Sequence, residues 1–299
     1  LKYYQWSLLF LINVPLAIIL IIGALKILPG KTNVENKYFD WKGILLLGIA
    51  LGLFSYGINN LEGKDFPKNV LSYHVFPFVT SSILFIILLF FIEKKSQAPV
   101  INIEFFKNRQ IRIAGIIAFV TGLAQSAFVF IPTYAAGIFK VPASTAGFML
   151  IPLVFATAIG SPVFGKMIDR YGSKIIILSG LVFMTVGYFG LGITGNDKTI
   201  FYSAGIILGF GFSVLSGSAL RYIMLNETNI NDRAVSQGIL NIFISLGQII
   251  GASIIGVMVA DTFGGSAYKV VFMYLSGILI FTFIFALHLK KREEEYTIH

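Results

Sequence analysis

The sequence predicts an all-α, polytopic membrane protein with nine membrane-crossing helices. Three observations carry that expectation. Hydrophobic residues make up 56% of the 299-residue chain and charged residues 12%, about half the charge of an ordinary soluble domain; mean hydropathy is +0.83. The apolar residues fall in runs close to the ~20 residues that span a bilayer. Every Asp and Glu falls between these runs or at their ends, never in the middle of one.

The runs justify the helices in order. The first, Trp6 to Leu28, contains Asn13-Val14-Pro15, which a bundle tolerates because neighbours satisfy the freed carbonyl. A polar linker over 30–40 leads to the second, Trp41 to Ile58. Its Gly48 and Gly52 have the small-x-x-x-small spacing that predicts close helix contact. The third is Val75 to Ile92. The longest break, Glu93 to Arg112, places Phe105 and Phe106 at headgroup level as an interfacial turn. The remaining runs are Ile113–Phe139, Ala143–Phe164, Ile175–Ile193, Ile200–Leu220, Val235–Ala260 and Val270–Leu289, followed by a charged tail.

Between the fifth and sixth runs lies Gly165-Lys166-Met167-Ile168-Asp169-Arg170-Tyr171-Gly172-Ser173-Lys174, a dense run of charge in an apolar half of the chain. It is expected to form a ten-residue hairpin. Gly165 and Gly172 permit a close turn, and Asp169 is an acceptor suited to capping a neighbouring helix start.

The pattern Gly-x-x-x-Asp-Arg-x-Gly-x-Lys resembles the signature loop of the major facilitator superfamily of transporters. Further segments are similar to its fourteen-helix drug:proton antiporters, the EmrB/QacA subfamily. They are Trp6-x-x-x-Phe10-x-x-Asn13-Val14-Pro15, the stretch Pro99 to Arg109, Phe130-Ile131-Pro132-Thr133-Tyr134, Ala146-Gly147 with Ile151-Pro152, and Gln237-Gly238-x-x-Asn241 leading to Gly247-x-x-x-Gly251. One departure is Ile244, where many relatives carry a basic residue nearby. The resemblance implies a partial major facilitator fold covering helices six to fourteen. Residues 1–30 would close the N-terminal six-helix bundle, 31–110 would be a two-helix insert with its linkers, and 111–299 would form the C-terminal six-helix bundle. It also implies proton-coupled efflux of hydrophobic or cationic compounds by alternating access, with Gly165, Asp169, Arg170 and Gly172 as a conformational-gate loop. The chain starts at Leu1 without a signal-peptide pattern and is expected to continue a longer protein, whose N-terminal bundle would be its partner.

Charge sets the expected orientation. With the C-terminus cytoplasmic, 17 of the 23 Lys and Arg residues, Arg221, Arg233 and Lys290 among them, fall in inside segments and 6 outside, as the positive-inside rule requires. The expected location is the cell membrane. The net charge of +9 is spread over short loops, so no nucleic-acid partner is expected. There is no cysteine, and His74, His288 and His299 are scattered, so neither a metal site nor a cofactor is expected. Metalloprotease, hydrolase and phosphate-loop motifs are absent, which argues against an enzyme.

The substrate-cavity candidates are the few polar groups inside the runs, together with two aromatics. Gln125 lies mid-run in the fourth, and Asn241, Ser245 and Gln248 share one face of the eighth by i, i+4 and i+7 spacing. Polar groups in hydrocarbon face a bundle interior or a wet cavity. Phe128 and Tyr134 are candidates for an apolar lining suited to bulky amphipathic cargo. A proton carrier needs a carboxylate or histidine that changes charge. No run offers one mid-span, so the carrier is expected upstream of Leu1. Two rival readings are a metabolite transporter of the same fold and a non-transporting membrane sensor or scaffold.

Overall fold

A computed structural model describes residue 11 and residues 13–27, 40–61, 66–94, 103–260 and 265–295. Trp6, Phe10, most of the 30–40 linker with its boundary at 30, residues 99–102 and the last four residues of the tail lie outside these. Contacts divide the chain into two compact units, Leu1–Phe39 and Asp40–His299. In the first, α1 (Asn13–Ile27) is a 15-residue apolar helix with Lys26 in its last turn.

The second unit contains, among the described residues, eight helical stretches long and apolar enough to cross a membrane. Two single helices come first, α2 (Trp41–Asn59) and α4 (Phe76–Glu93), joined through the short α3 (Phe66–Val70). Asp40 starts α2 by accepting from the Gly43 N–H at 2.8 Å. The two helices meet at Ala50, whose carbonyl accepts from the buried Ser82 hydroxyl at 2.8 Å, and at Gly57, close to Val79. Gly48 and Gly52 face open space. The expected glycine-mediated contact is therefore displaced onto the face that carries Ala50 and Gly57.

Six more crossings follow. The first combines α5 (Arg109–Ser126), a 3₁₀ turn at Ala127–Phe130 and α6 (Ile131–Phe139). The second combines α7 (Ala143–Phe148) and α8 (Ile151–Tyr171). Then come α9 (Ser173–Ile193), the pair α10 (Lys198–Leu215) and α11 (Ser218–Asn226), α12 (Arg233–Ala260) and α13 (Gly265–Ala286). A four-residue helix, α14 (Arg292–Glu295), ends the described chain. Helix α9 packs between α10 and α13, α8 lies on α10, and α5 lies against α12.

The α5–α12 seam is backbone against backbone. A Cβ on Gly122 would lie 2.0 Å from the Ile244 carbonyl oxygen, and one on Gly247 would lie 2.0 Å from that of Phe119. Only hydrogen fits there, which is how small residues bring membrane helices together.

Aromatic rings fill the half of the bundle away from Gly172. Tyr134 is fully buried, 5.0 Å from Phe272 and 5.8 Å from Tyr268 between ring centres, and its hydroxyl donates to the Leu191 carbonyl at 2.6 Å. Tyr188 stacks on Phe272 and donates to the Ala124 carbonyl. Outward-facing side chains such as Leu84, Phe155 and Ile159 are apolar and exposed, as a lipid-facing surface demands.

Two local expectations change. The Gly165–Lys174 hairpin shrinks to one residue, because α8 continues to Tyr171 and α9 starts at Ser173. Gly172 makes the whole turn at φ +81°, a conformation cheap only for glycine. Phe105, expected in an interfacial turn, is buried against the protein, while Phe106 packs edge-on against Phe243 at 6.1 Å.

Candidate functional site

Two interruptions in the helices build a cavity. Pro132 sits in the first turn of α6 and has no N–H to offer. The chain tightens ahead of it into the 3₁₀ turn, where the Ile131 N–H takes up the Phe128 carbonyl. The α10–α11 crossing breaks at Ser216-Gly217. Gln125 at the end of α5 and Ser216 at the second break face each other: Gln125 Nε2 donates to Ser216 Oγ at 3.2 Å. Gln248 of α12 completes the chain, its Nε2 donating to Gln125 Oε1 at 2.8 Å.

These three polar groups line one wall of a cavity of about 500 Å³, within the usual ligand-pocket range of ~300–1,000 Å³. Phe128 and Phe212, edge to face at 5.9 Å, and Leu153 and Val154 of α8 make the rest largely apolar. Thr157 and Ser161 add two hydroxyls. The Thr157 hydroxyl is already engaged with the Leu153 and Gly209 carbonyls, and Ser161 with Thr157. The Gln248–Gln125–Ser216 relay thus remains to orient a guest, and the aromatic and aliphatic walls to desolvate it.

The sequence candidates divide. Gln125, Phe128 and Gln248 line this cavity. Tyr134 does not; it belongs to the aromatic core, where its hydroxyl is satisfied. Asn241 and Ser245 are exposed on the same α12 face as Gln248 but nearer the Gly172 end. Asn241 Oδ1 accepts from Arg221 Nη2 at 3.2 Å. Sequence reasoning missed Ser216 and Arg221. The Ser216-Gly217 pair inside an apolar run was the available signal for a helix break; nothing local marks Arg221 as other than a helix-end cation.

At the Gly172 end, the loop is tied to the C-terminal helix. Glu295 accepts from both the N–H and the hydroxyl of Ser173, so it caps the start of α9. Arg292 Nη2 donates to the Asp169 carbonyl at 3.0 Å, and its Cβ lies against Gly172. The capping role expected for Asp169 is thus filled by Glu295. Asp169 lies in the last turn of α8 with an exposed side chain. Arg170 is exposed and lies over the Tyr171 ring at 5.4 Å. Gly165 comes 3.6 Å from Ser218 Oγ, measured to an added Cβ, which sets α8 beside α11.

A second clasp lies nearby. Glu227, at the end of α11, is buried; it accepts from Asn108 Nδ2 at 2.7 Å and pairs with Lys290 Nζ. Asn108 also caps α5, and the Gln110 side chain accepts from the Lys290 N–H at 3.0 Å. Three helix ends are thereby joined.

Comparison with known proteins places these features in a family. A family model described as Major Facilitator Superfamily matches residues 1–226 and 114–298. An uncharacterized MFS-type transporter, YfiU of Bacillus subtilis, is 29% identical over 81% of this chain and 48% of its own length. Multidrug resistance protein 3 of the same organism is 24% identical over 87% of this chain and 50% of its own. The riboflavin transporter RibZ of Clostridioides difficile is 26% identical over 72% and 45%. The chain therefore spans about half the length of the curated relatives it matches. Among solved structures, the nucleoside transporter NupG shares the fold at TM-score 0.53 and 16% identity, over 82% of this chain and 66% of that one. With its apolar crossings, glycine seam and signature loop, this multi-pass membrane chain belongs to the Major Facilitator Superfamily.

Proposed function

We propose that the chain works in proton-coupled efflux of amphipathic, drug-like compounds across the cell membrane, by alternating access through the cavity around Gln125, Ser216 and Gln248. The carrying observation is that cavity: mostly apolar, aromatic-walled, with a short amide–hydroxyl relay placed where two helices break. Such a site gains affinity by desolvation and tolerates varied shapes. Likeness to a multidrug resistance protein supports the same reading. In this proposal residues 1–30 close an N-terminal bundle, 31–110 are an insert, and 111–299 form the bundle that rocks against it. The Gly165, Asp169, Arg170 and Gly172 loop faces the cytoplasm with the C-terminus and biases the two arrangements. A proton entering down the membrane potential gains about 2.3 kcal/mol per 100 mV. Among the described residues every Asp, Glu and His lies in a loop, at a cap or in a helix's end turn, so the proton-binding carboxylate is assigned to other helices of the full-length protein.

A metabolite substrate is the second reading, favoured by likeness to a riboflavin transporter. Accumulation of fluorescent dyes in cells with and without the full-length gene separates the two: lowered dye accumulation that a protonophore abolishes is expected, and unchanged accumulation overturns efflux. Orientation is tested with an impermeant thiol reagent on intact cells, which is expected to label Thr199→Cys and spare Ser173→Cys. The opposite pattern inverts the topology.

A further inference from the structure

We infer that Arg221 is an anion-recognition subsite at the mouth of this cavity, so that the preferred cargo is an amphipathic compound carrying a carboxylate or a like acidic group. The inference rests on the efflux reading above and names its substrate class. Arg221 lies on α11, five residues beyond the Ser216 that lines the cavity. Helical side chains lean toward the N-terminus of their helix, and the N-terminus of α11 is the break at the cavity. That lean favours the side of the break, and the guanidinium engages Gln237 and Asn241 of α12.

Its partners lie on the α12 face that also carries Gln248. Arg221 Nη1 donates to Gln237 Oε1 at 3.3 Å and Nη2 to Asn241 Oδ1 at 3.2 Å. Asn241 lies eight residues into α12, about 12 Å from its start at 1.5 Å per residue. Gln237 is itself fixed, because its Nε2 donates to the Arg221 carbonyl at 3.1 Å; its oxygen must then face the guanidinium.

Both partners are neutral amides, so the positive charge is oriented without being neutralised. Two guanidinium N–H groups are occupied, which leaves three of five donors for a guest. Asn241, whose oxygen faces Arg221, presents its NH₂ group from an exposed side chain. Planar guanidinium N–H donors match a carboxylate bidentately. Gln237, Asn241 and Gln248 share one face of α12 by i, i+4 and i+11 spacing. A single amphiphile therefore meets an apolar pocket around Phe128 and Phe212 and, about 10 Å along the helix from Gln248, a charged end group at Asn241. No carboxylate lines the cavity among the described residues.

The test uses the purified full-length protein and a matched pair of probes, dansylaminoundecanoate and its methyl ester, which share an apolar body and differ by one charge. Equilibrium titration is expected to show the acid binding about tenfold tighter than the ester. In Arg221→Gln the acid should weaken about tenfold and the ester less than twofold, with Arg221→Lys between. Retained ester binding shows that the variant is folded. Equal affinities in the wild type, or equal losses for both probes in Arg221→Gln, overturn the anion subsite while leaving the cavity reading intact. If neither probe binds the wild type, the cavity reading fails and this inference with it. If phosphatidylglycerol shows the Arg221-dependent binding and the acid probe does not, the site serves a lipid headgroup and the substrate assignment is overturned.

Discussion

The two halves of the bundle hold the same helices by different physics. Away from Gly172, α5, α6, α9, α10 and α13 meet through interlocked rings, with Tyr134, Tyr188 and Phe272 fully buried and both tyrosine hydroxyls bonded to carbonyls. Toward Gly172, the same crossings end in ion pairs, amides and caps: Glu227 with Lys290 and Asn108, Glu295 with Ser173, Arg292 with Asp169. Ring packing depends on shape and resists displacement, since a close-packed interior has no partial state. The exposed polar contacts among these are individually worth ~0–1 kcal/mol; the Glu227 pair, with a side chain only 8% exposed, is the exception. The comparison teaches where shape holds the helices together and where hydrogen bonds and charge do.

Removing a ring should break the ring-packed half most severely. Tyr188→Ala is expected to destabilise the purified full-length protein by about 3–5 kcal/mol, the usual cost of deleting a buried aromatic. Tyr188→Phe, which removes the hydroxyl's bond but leaves the Ala124 carbonyl with the Ala127 N–H, should cost about 0.5–1.5 kcal/mol. Thermal unfolding in detergent checks both; near-equal values would mean the hydroxyl and not the ring carries the contact.

The Glu227 clasp ranks next. Glu227→Ala strips a buried carboxylate from Lys290 and Asn108 and is expected to cost about 2–3 kcal/mol, less than a fully buried pair because Lys290 is 28% exposed. Glu227→Gln keeps an acceptor for Asn108 and should recover about half. A shift as large as that of Tyr188→Ala would erase the contrast between the halves.

The turn at Gly172 should give the smallest stability change and the sharpest local one. Glu295→Ala removes the α9 cap, worth about 1 kcal/mol, and hydrogen exchange should quicken at the Ser173 amide while Tyr188 and its neighbours stay protected. Asp169→Asn, with an exposed side chain, should leave the unfolding midpoint within about 1 °C while lowering efflux, because a surface change costs within ~0.5 kcal/mol. Normal efflux at matched expression would reduce Asp169 to a solvating group.

Much of the fold was legible in advance. Among the described residues each apolar run became a helix or a broken pair of helices, the fifth and seventh running past their expected ends to Tyr171 and Asn226, because a bilayer-length apolar run has few other solutions. The cavity was legible only in part. Gln125, Phe128 and Gln248 stood out by polarity or position, but the spacing that grouped Asn241 and Ser245 with Gln248 fixes only a shared helix face. It does not say how far along that face the cavity extends. Tyr134 illustrates the same limit: an amphipathic ring suits a cavity wall or a core equally well, and a carbonyl 57 residues away decided for the core.

The sequence by itself determined that this chain crosses a membrane repeatedly, which residues lie inside the crossings, and which family signature joins two of them. These are local properties, fixed by hydropathy over one run and by residue identity at short spacing. The tertiary structure decided which side chains meet. Gln125 finds Ser216 across 91 residues and Gln248 across 123, Glu295 replaces Asp169 as the cap of α9 across 122, and Arg221 meets Gln237 and Asn241 of α12. The physical reason is helix rotation. Periodicity defines a polar face on each helix, but the angle at which that face is presented to its neighbours follows from backbone contacts such as Gly122 on Ile244 and Gly247 on Phe119, and these form only when distant segments pack.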